Sequence, residues 1–176
     1  MPQATTEIIS TPRLSLRSTK AGDLDVLYEI VFSDPDVMRF VFEGVPYTRE
    51  RAAEFFATTF DHEATGLKLG ILVEKANSQI IGFSGLLECR ALGEKDYEIG
   101  FVLARSAWGN HYAREIGRGQ LEYGFYTVNC ARLLAQVAPG NDASIAVLEK
   151  IGMVFHRTVQ SKGRGERKLY IAYHPA

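Results

Sequence analysis

Apolar residues follow two patterns along the chain, the alternation typical of β-strands and the spacing typical of α-helices, and these patterns predict the secondary-structure elements. In the first third, alternation over residues 13–17 predicts a short strand, and helical spacing over 23–32 predicts a helix. The aromatic stretch 40–47, here called the aromatic loop, contains glycine and proline and is predicted to be irregular. A second helix, capped by Thr48, is predicted to run from 49 to about 66.

The remaining two thirds predict further strands, with two helices between them. The predicted elements are strands over 67–74, 79–89 and 96–103, a helix from Ala113, a strand over 133–138, a helix over 142–151 stopped by Gly152, and strands over 153–160 and 167–174. No linker or internal repeat divides them. The sequence therefore predicts one α/β domain, in which helices flank a mixed central sheet.

Composition and charge exclude several classes of function. The net charge of −1, from 20 basic and 21 acidic residues, gives no overall field that would recruit nucleic acid or a membrane. Cys89 and Cys130 are too few for a zinc site or a disulfide framework, and the four histidines share no ligand spacing, so no metal is expected. Residues 1–11 form a polar arm without the apolar core of a signal peptide, and no apolar run could span a membrane. A cytoplasmic location is expected.

The most informative segment is the loop Trp108-Gly109-Asn110-His111-Tyr112-Ala113-Arg114-Glu115. It connects the predicted strand 96–103 to the helix that begins near Ala113. Free main-chain N–H groups converge at a helix N-terminus, where the helix dipole also favours an anion. The loop therefore predicts a site for a cofactor that carries phosphate.

Two motifs and the order of the elements resemble the GNAT N-acetyltransferase superfamily, and within it the RimJ/RimL type. The motifs are Trp108-Gly109-x-x-Tyr112-Ala113-x-Glu115 and Asn141-x-x-Ser144-x-x-x-Leu148-Glu149-Lys150-x-Gly152. The resemblance covers nearly the whole chain from Thr11. It implies a single acyltransferase domain over 12–176 with a mostly antiparallel sheet, acetyl-CoA as cosubstrate, and a primary amine as acceptor, on a protein N-terminus or a small molecule.

The resemblance also assigns the residues that would bind acetyl-CoA. The pyrophosphate would lie on the N–H groups of the loop, from Gly109, Asn110, His111, Tyr112, Ala113 and Arg114. The pantetheine arm would pair with the main chain of Phe101, Val102 and Leu103, where one N–H would stabilise the oxyanion of the reaction.

Two of the expected cofactor residues have a second interpretation or depart from the family pattern. Asn141 would hydrogen-bond the pantetheine arm, although it is also a good helix N-cap. His111 stands where the family usually has glycine, and we expect its N–H to remain available if its φ is negative and its side chain turns away.

For catalysis, the resemblance points to a carboxylate and a hydroxyl. Glu98 would take the proton that the amine must lose, with Glu88 as a substitute; alternatively, Glu98 is a solvated strand residue paired with a lysine or arginine. Many relatives carry a tyrosine at the position of Leu148 to protonate the leaving thiolate. RimL-type enzymes use a serine that matches Ser144.

The acceptor pocket is expected in the aromatic loop, from Phe40, Phe42, Glu43 and Tyr47, with Glu43 able to hold a substrate ammonium. The basic residues Lys162, Arg164, Arg167 and Lys168 are expected to form a solvated hairpin loop, and no nucleic-acid partner is expected. A rival to the enzyme is a catalytically weak acyl-CoA-binding or protein-interaction module with the same fold. The resemblance also allows a homodimer, to which no particular residue points.

Overall fold

The computed structural model describes residues 4–176, which form one eight-stranded sheet. The strands are β1 (Glu7–Ser10), β2 (Leu14–Arg17), β3 (Leu69–Glu74), β4 (Gln79–Cys89), β5 (Asp96–Leu103), β6 (Arg132–Val137), β7 (Val154–Ser161) and β8 (Gly165–Tyr173). Their order across the sheet is β1-β2-β3-β4-β5-β6-β8-β7. Every neighbouring pair is antiparallel except β5 and β6, which are parallel.

The described part of the chain has five α-helices beside the sheet: α1 (Asp23–Leu27), α2 (Pro35–Met38), α3 (Arg49–Thr59), α4 (Tyr112–Glu122) and α5 (Asp142–Lys150). Wider π-helical turns, Tyr28–Phe32 and Tyr123–Thr127, extend α1 and α4. Side chains cap the N-termini of three helices: Asp34 caps α2, Thr48 caps α3 and Asn141 caps α5, each by accepting a hydrogen bond from a main-chain N–H group.

The sheet separates two apolar cores. On one side, here the α1–α3 face, residues such as Phe32, Phe60 and Phe83 pack under α1, α2 and α3. On the other side, the α4–α5 face, Ile99, Leu133 and other residues pack under α4 and α5. Because opposite residues of an antiparallel pair share a face, the register of the strands tells which face each polar side chain reaches.

Most of the predicted elements are confirmed, including β4 and β5 at the predicted bounds. The prediction for α3 was too long. The helix ends at Thr59 because Phe60 becomes extended and bridges to Leu69, and the Asp61 carboxylate accepts hydrogen bonds from the main chain at Thr65 and Gly66.

Two elements were missed. Strand β1 lies in the segment expected to be a polar arm, of which residues 1–3 are outside the described range. Its adjacent isoleucines, Ile8 and Ile9, interrupt simple alternation, and its register with β2 is irregular. The short helix α2 was also missed, although Asp34 and Pro35 are typical first residues of a helix.

Candidate active site

The central feature of the site is a separation between β5 and β6. These strands share a single aligned pair, Glu98 with Leu134, whereas β5 stays paired with β4 as far as Leu103. Beyond Glu98, one edge of β5 therefore has no strand partner among the described residues. That edge carries the main chain of Phe101, Val102 and Leu103, which could pair with an extended ligand.

A buried glutamine fixes β5 at the point where the strands separate. Gln120, on α4, is fully buried, and its Nε2 donates to the carbonyl oxygens of Gly100 at 2.8 Å and Gly85 at 2.9 Å. The Ser84 hydroxyl donates to the same Gly100 oxygen at 2.8 Å. Gln120 was not predicted as a site residue; its one signal in the sequence is that it is a polar residue at an inward position of the helix.

Side chains shape the loop that precedes α4. Trp108 Nε1 donates to the Leu103 carbonyl at 3.0 Å, and Asn110 Nδ2 donates to the carbonyls of Ala107 and Trp108 at 3.1 and 3.2 Å. Within residues 4–176, the N–H groups of Gly109, Asn110 and His111 have no protein acceptor. The N–H groups of the first turn of α4 add to these free donors, so the loop suits an anion.

The condition of a negative φ at His111 is not met. His111 has φ 60° and precedes α4 in the left-handed conformation. This is the conformation that glycine adopts readily, and histidine adopts it more often than most side chains do. The chain thus preserves the backbone path of a glycine, and the loop N–H groups remain exposed to a ligand.

Ionic contacts hold the first turn of α4. Glu115 accepts hydrogen bonds from the Thr11 hydroxyl at 2.7 Å and from Arg13 Nε at 2.7 Å. Partial burial acts to raise the pKa of Glu115, but these donors outweigh it and leave the pKa below its ordinary value. Arg114, in the same turn, has a buried Nε without a partner within residues 4–176, so it retains a donor for an anion.

Asn141 and Ser144 lie together at the start of α5. Asn141 Oδ1 accepts from the Ser144 N–H at 3.3 Å and so caps the helix, while Asn141 Nδ2 bonds to no acceptor within residues 4–176. The cap and a contact with a ligand are therefore compatible. Leu148 is 3% exposed and packs in the core of the α4–α5 face, which explains why an apolar residue suits that position.

Glu98 is buried and bonded on the α1–α3 face. Its Oε2 accepts from Gln136 Nε2 at 2.5 Å, and its Oε1 forms an ion pair with Arg164 Nη2 at 3.2 Å. The interpretation as a solvated residue is wrong, although the pairing with an arginine is present. Glu88 aligns with Tyr97 and points to the opposite face, where it is exposed near Arg90 and Lys95, so it is a poor substitute.

The aromatic loop is packed rather than open. The Phe42 and Tyr47 rings are stacked 5.7 Å apart, and Tyr47 also stacks on Phe32 in the core. Phe40 extends the other way, toward Gly140 beside Asn141. The loop therefore connects the core of the α1–α3 face with the start of α5.

Glu43 already has partners within this loop. It forms an ion pair with Arg51 and accepts a hydrogen bond from the Tyr47 hydroxyl at 3.3 Å. Burial, together with the Glu43 carboxylate, raises the pKa of Tyr47 to about 12. Binding a substrate ammonium would have to compete with Arg51.

The hairpin between β7 and β8 is not simply a solvated loop. Arg167 is 7% exposed and donates to the carbonyl oxygens of Phe42 and, at 3.2 Å, Glu166. Burial, and then the nearby Arg164, lower the pKa of Arg167. The expectation of a solvated basic hairpin is wrong at Arg167 and at Arg164, which contacts Glu98.

The structure thus brings the predicted residues into two groups. One consists of the β5 edge, the loop before α4, and Asn141 with Ser144. The other consists of Glu98 and the aromatic loop, to which the structure adds Gln136, Arg164 and Arg167. Across residues 4–176, no three side chains of the usual ligand types cluster to hold a metal ion, and no helix there has the length and apolarity to cross a membrane.

Comparisons with known proteins agree with this geometry. Residues 13–154 match the family model described as acetyltransferase (GNAT) domain. The chain is 33% identical to the Bacillus subtilis protein YkkB over 164 residues, covering 91% of this chain and 95% of that protein. It is 34% identical to the uncharacterized N-acetyltransferase YnaD of Bacillus subtilis over 145 residues, covering 82% and 81%.

A solved structure supports the fold. The spermidine N-acetyltransferase from Vibrio cholerae, in complex with CoA and spermine, superimposes with a TM-score of 0.73 at 22% identity. The match covers 92% of this chain and 96% of that one. The expected fold, a mostly antiparallel sheet flanked by helices, is confirmed.

Proposed function

Because this chain belongs to the GNAT acetyltransferase family and is an acetyl-CoA-dependent N-acetyltransferase, we propose that it moves the acetyl group to a primary amine by direct attack in a ternary complex. We assign it to the RimJ/RimL type, with residues 12–176 as the catalytic domain. Two residues support this finer assignment. Ser144 lies three residues after Asn141, and Leu148 occupies the position where many relatives have a tyrosine.

The residues around the β5 edge suit acetyl-CoA. The free N–H groups from Gly109 to Arg114, with the unpaired Nε of Arg114, would bind the pyrophosphate. The open main chain of Phe101–Leu103 would pair with the pantetheine arm, and Asn141 Nδ2 would add a hydrogen bond. An N–H of the same edge would stabilise the oxyanion that forms during transfer.

Glu98 and Ser144 then act on protons at the reacting atoms. A free alkylamine has a pKa of about 10, so it needs a base near neutral pH, and Glu98 lies at the point where the strands separate. Ser144 would donate a hydrogen bond to the departing thiolate. Proximity of the two substrates would supply much of the rate acceleration.

The single observation that carries this proposal is the separation of β5 from β6 directly beyond a buried carboxylate. The free main-chain groups of that edge are available to pair with an extended ligand such as the pantetheine arm. The same observation favours an enzyme over a weak acyl-CoA-binding module, because Glu98 places a proton acceptor beside that edge.

The test is a panel of amines and peptides incubated with acetyl-CoA, with detection of free thiol and of the acetylated product by mass spectrometry. We expect thiol release that depends on the amine, with the product heavier by one acetyl group. Acetyl-CoA binding without any amine-dependent release would contradict the proposal and favour the binding module.

A further inference from the structure

A buried arginine without a carboxylate partner lies beside the proposed acceptor site. Arg167 is 7% exposed, yet its described bonds go to two main-chain carbonyls, and it forms no ion pair within residues 4–176. Arginine is rarely buried without a counter-ion, because removing a charge from water is costly. The described residues therefore place no carboxylate in direct contact with this guanidinium, which could bind an anion from a ligand.

The neighbouring charges show how much negative charge is missing. The Glu43 and Glu98 carboxylates act on the Arg167 guanidinium only at longer range, and Glu98 is already in an ion pair with Arg164. Glu43 is paired with Arg51, so those two charges cancel. Arg164 and Arg167 carry two positive charges and Glu98 carries one negative charge, so the local excess is one positive charge.

The missing charge belongs on the acceptor rather than on acetyl-CoA. The phosphates are expected at the loop before α4, whose Trp108 side chain bonds to Leu103 at the end of β5. Arg164 contacts Glu98, five residues earlier on that strand, which is about 17 Å away along an extended chain. Arg167, meanwhile, bonds to Phe42 of the aromatic loop, where the acceptor pocket is proposed.

From this geometry we propose that the acceptor is an amine that also carries a carboxylate, bound by Arg167 with Arg164. The carboxylate of such an amine would balance the charge of Arg167 while its ammonium group faces Glu98, whereas a dianionic phosphate would be repelled by Glu98 and Glu43. A planar guanidinium also matches a carboxylate in a two-bond geometry. A polyamine would bring further positive charge toward two arginines. The inference rests on the proposed acetyl transfer and names its substrate class.

The test compares three acceptors with the same primary amine: 4-aminobutyrate, butylamine and 1,4-diaminobutane, each with shorter and longer homologues. We expect kcat/KM for the best amino carboxylate to exceed that for its matched alkylamine by roughly 10- to 100-fold, the range of a hydrogen bond to a charged group. In Arg167→Gln this ratio should fall close to one, mainly through KM. Arg157→Gln, an exposed arginine on β7, is the matched control and should keep the ratio.

A second arm does not depend on turnover. Butyrate has no amine to acetylate, and we expect it to raise the melting temperature of the wild-type chain but not that of Arg167→Gln. If Arg167→Gln does not fold, Arg164→Gln on the hairpin turn serves instead and should reduce both the ratio and the butyrate effect.

Each outcome separates this inference from the proposed function. Equal kcat/KM values across the wild-type panel, or a preference for the diamine, would overturn the carboxylate inference while leaving acetyl transfer intact. The same holds if Arg167→Gln and Arg157→Gln keep the same ratio. If no amine is acetylated, the proposed function fails, and the butyrate arm alone decides whether the arginines form an anion site.

Discussion

The two sides of the active site present different kinds of chemical group to a ligand. The cofactor side, formed by the Phe101–Leu103 edge, the loop before α4, and Asn141, offers mainly main-chain groups that have no partner among residues 4–176. The acceptor side, formed by Glu98, the aromatic loop and the hairpin arginines, consists of side chains that mostly bond to one another. A site made of main-chain groups is suited to a ligand that does not vary, such as acetyl-CoA, whereas a site made of side chains can be specific for a particular acceptor.

The difference also concerns how each side is held in place. Gln120 holds the cofactor side through its bond to the Gly100 carbonyl, and Glu115 holds it through its bond from the Thr11 hydroxyl. Neither bond uses the groups proposed to contact acetyl-CoA, so binding need not disturb them. On the acceptor side, the groups that would meet the substrate are themselves the structural contacts. A substitution there should therefore change both chemistry and selectivity, while the loss of a contact to the pyrophosphate or the pantetheine on the cofactor side should change acetyl-CoA affinity.

The largest expected effect comes from Glu98→Gln. The amide keeps the shape of the side chain but cannot take a proton, so turnover near neutral pH should fall by roughly 10- to 1,000-fold. Higher pH should partly restore the rate, because more of the amine is then neutral without help. A pH–rate profile measures both. Glu88→Gln, exposed on the opposite face, is the matched control, and an equal loss there would rule out a special role for Glu98.

Acetyl-CoA should stabilise the fold strongly. At about 100 times its dissociation constant, binding to the native state alone gives roughly 2.7 kcal/mol. Denaturant unfolding with and without the ligand measures the effect, and adenosine, which lacks the phosphates, should stabilise far less. Equal stabilisation by adenosine would show that the loop before α4 does not bind the pyrophosphate.

Ser144→Ala separates catalysis from capping. Asn141 still accepts the cap hydrogen bond from the main chain, so the free energy of unfolding should change by less than about 1 kcal/mol. Turnover should nevertheless drop several-fold with little change in acetyl-CoA affinity, as expected for a contact made in the transition state. Weaker acetyl-CoA binding at normal turnover would instead make Ser144 a binding residue.

A smaller effect is expected at His111, where the backbone is left-handed. His111→Gly should leave acetyl-CoA affinity nearly unchanged, because the loop already follows the path of a glycine. His111→Val should cost about 1–2 kcal/mol of stability relative to the glycine variant, since a β-branched residue tolerates this conformation poorly. Equal stability of the two variants in denaturant unfolding would contradict the positive φ.

The contrast between the cofactor side and the acceptor side also explains which parts of the site could be predicted from the sequence. The cofactor side follows from local order, because a strand, a turn and a helix start are consecutive in the chain, and the spacing of Asn141 and Ser144 is a helical turn. The conformation of His111 could not be inferred, since the motif there departs from glycine. Local patterns also do not reveal contacts such as Arg164 with Glu98, 66 residues apart, or Arg167 with Phe42, 125 residues apart.

We claim that the cofactor side and the acceptor side are separable, and the decisive measurement is the affinity of Glu98→Gln for acetyl-CoA. Isothermal titration calorimetry on this variant and on the wild-type chain should give dissociation constants within about twofold of each other, despite the loss of turnover. A loss of acetyl-CoA affinity that parallels the loss of turnover would contradict the claim, because Glu98 would then belong to the cofactor side.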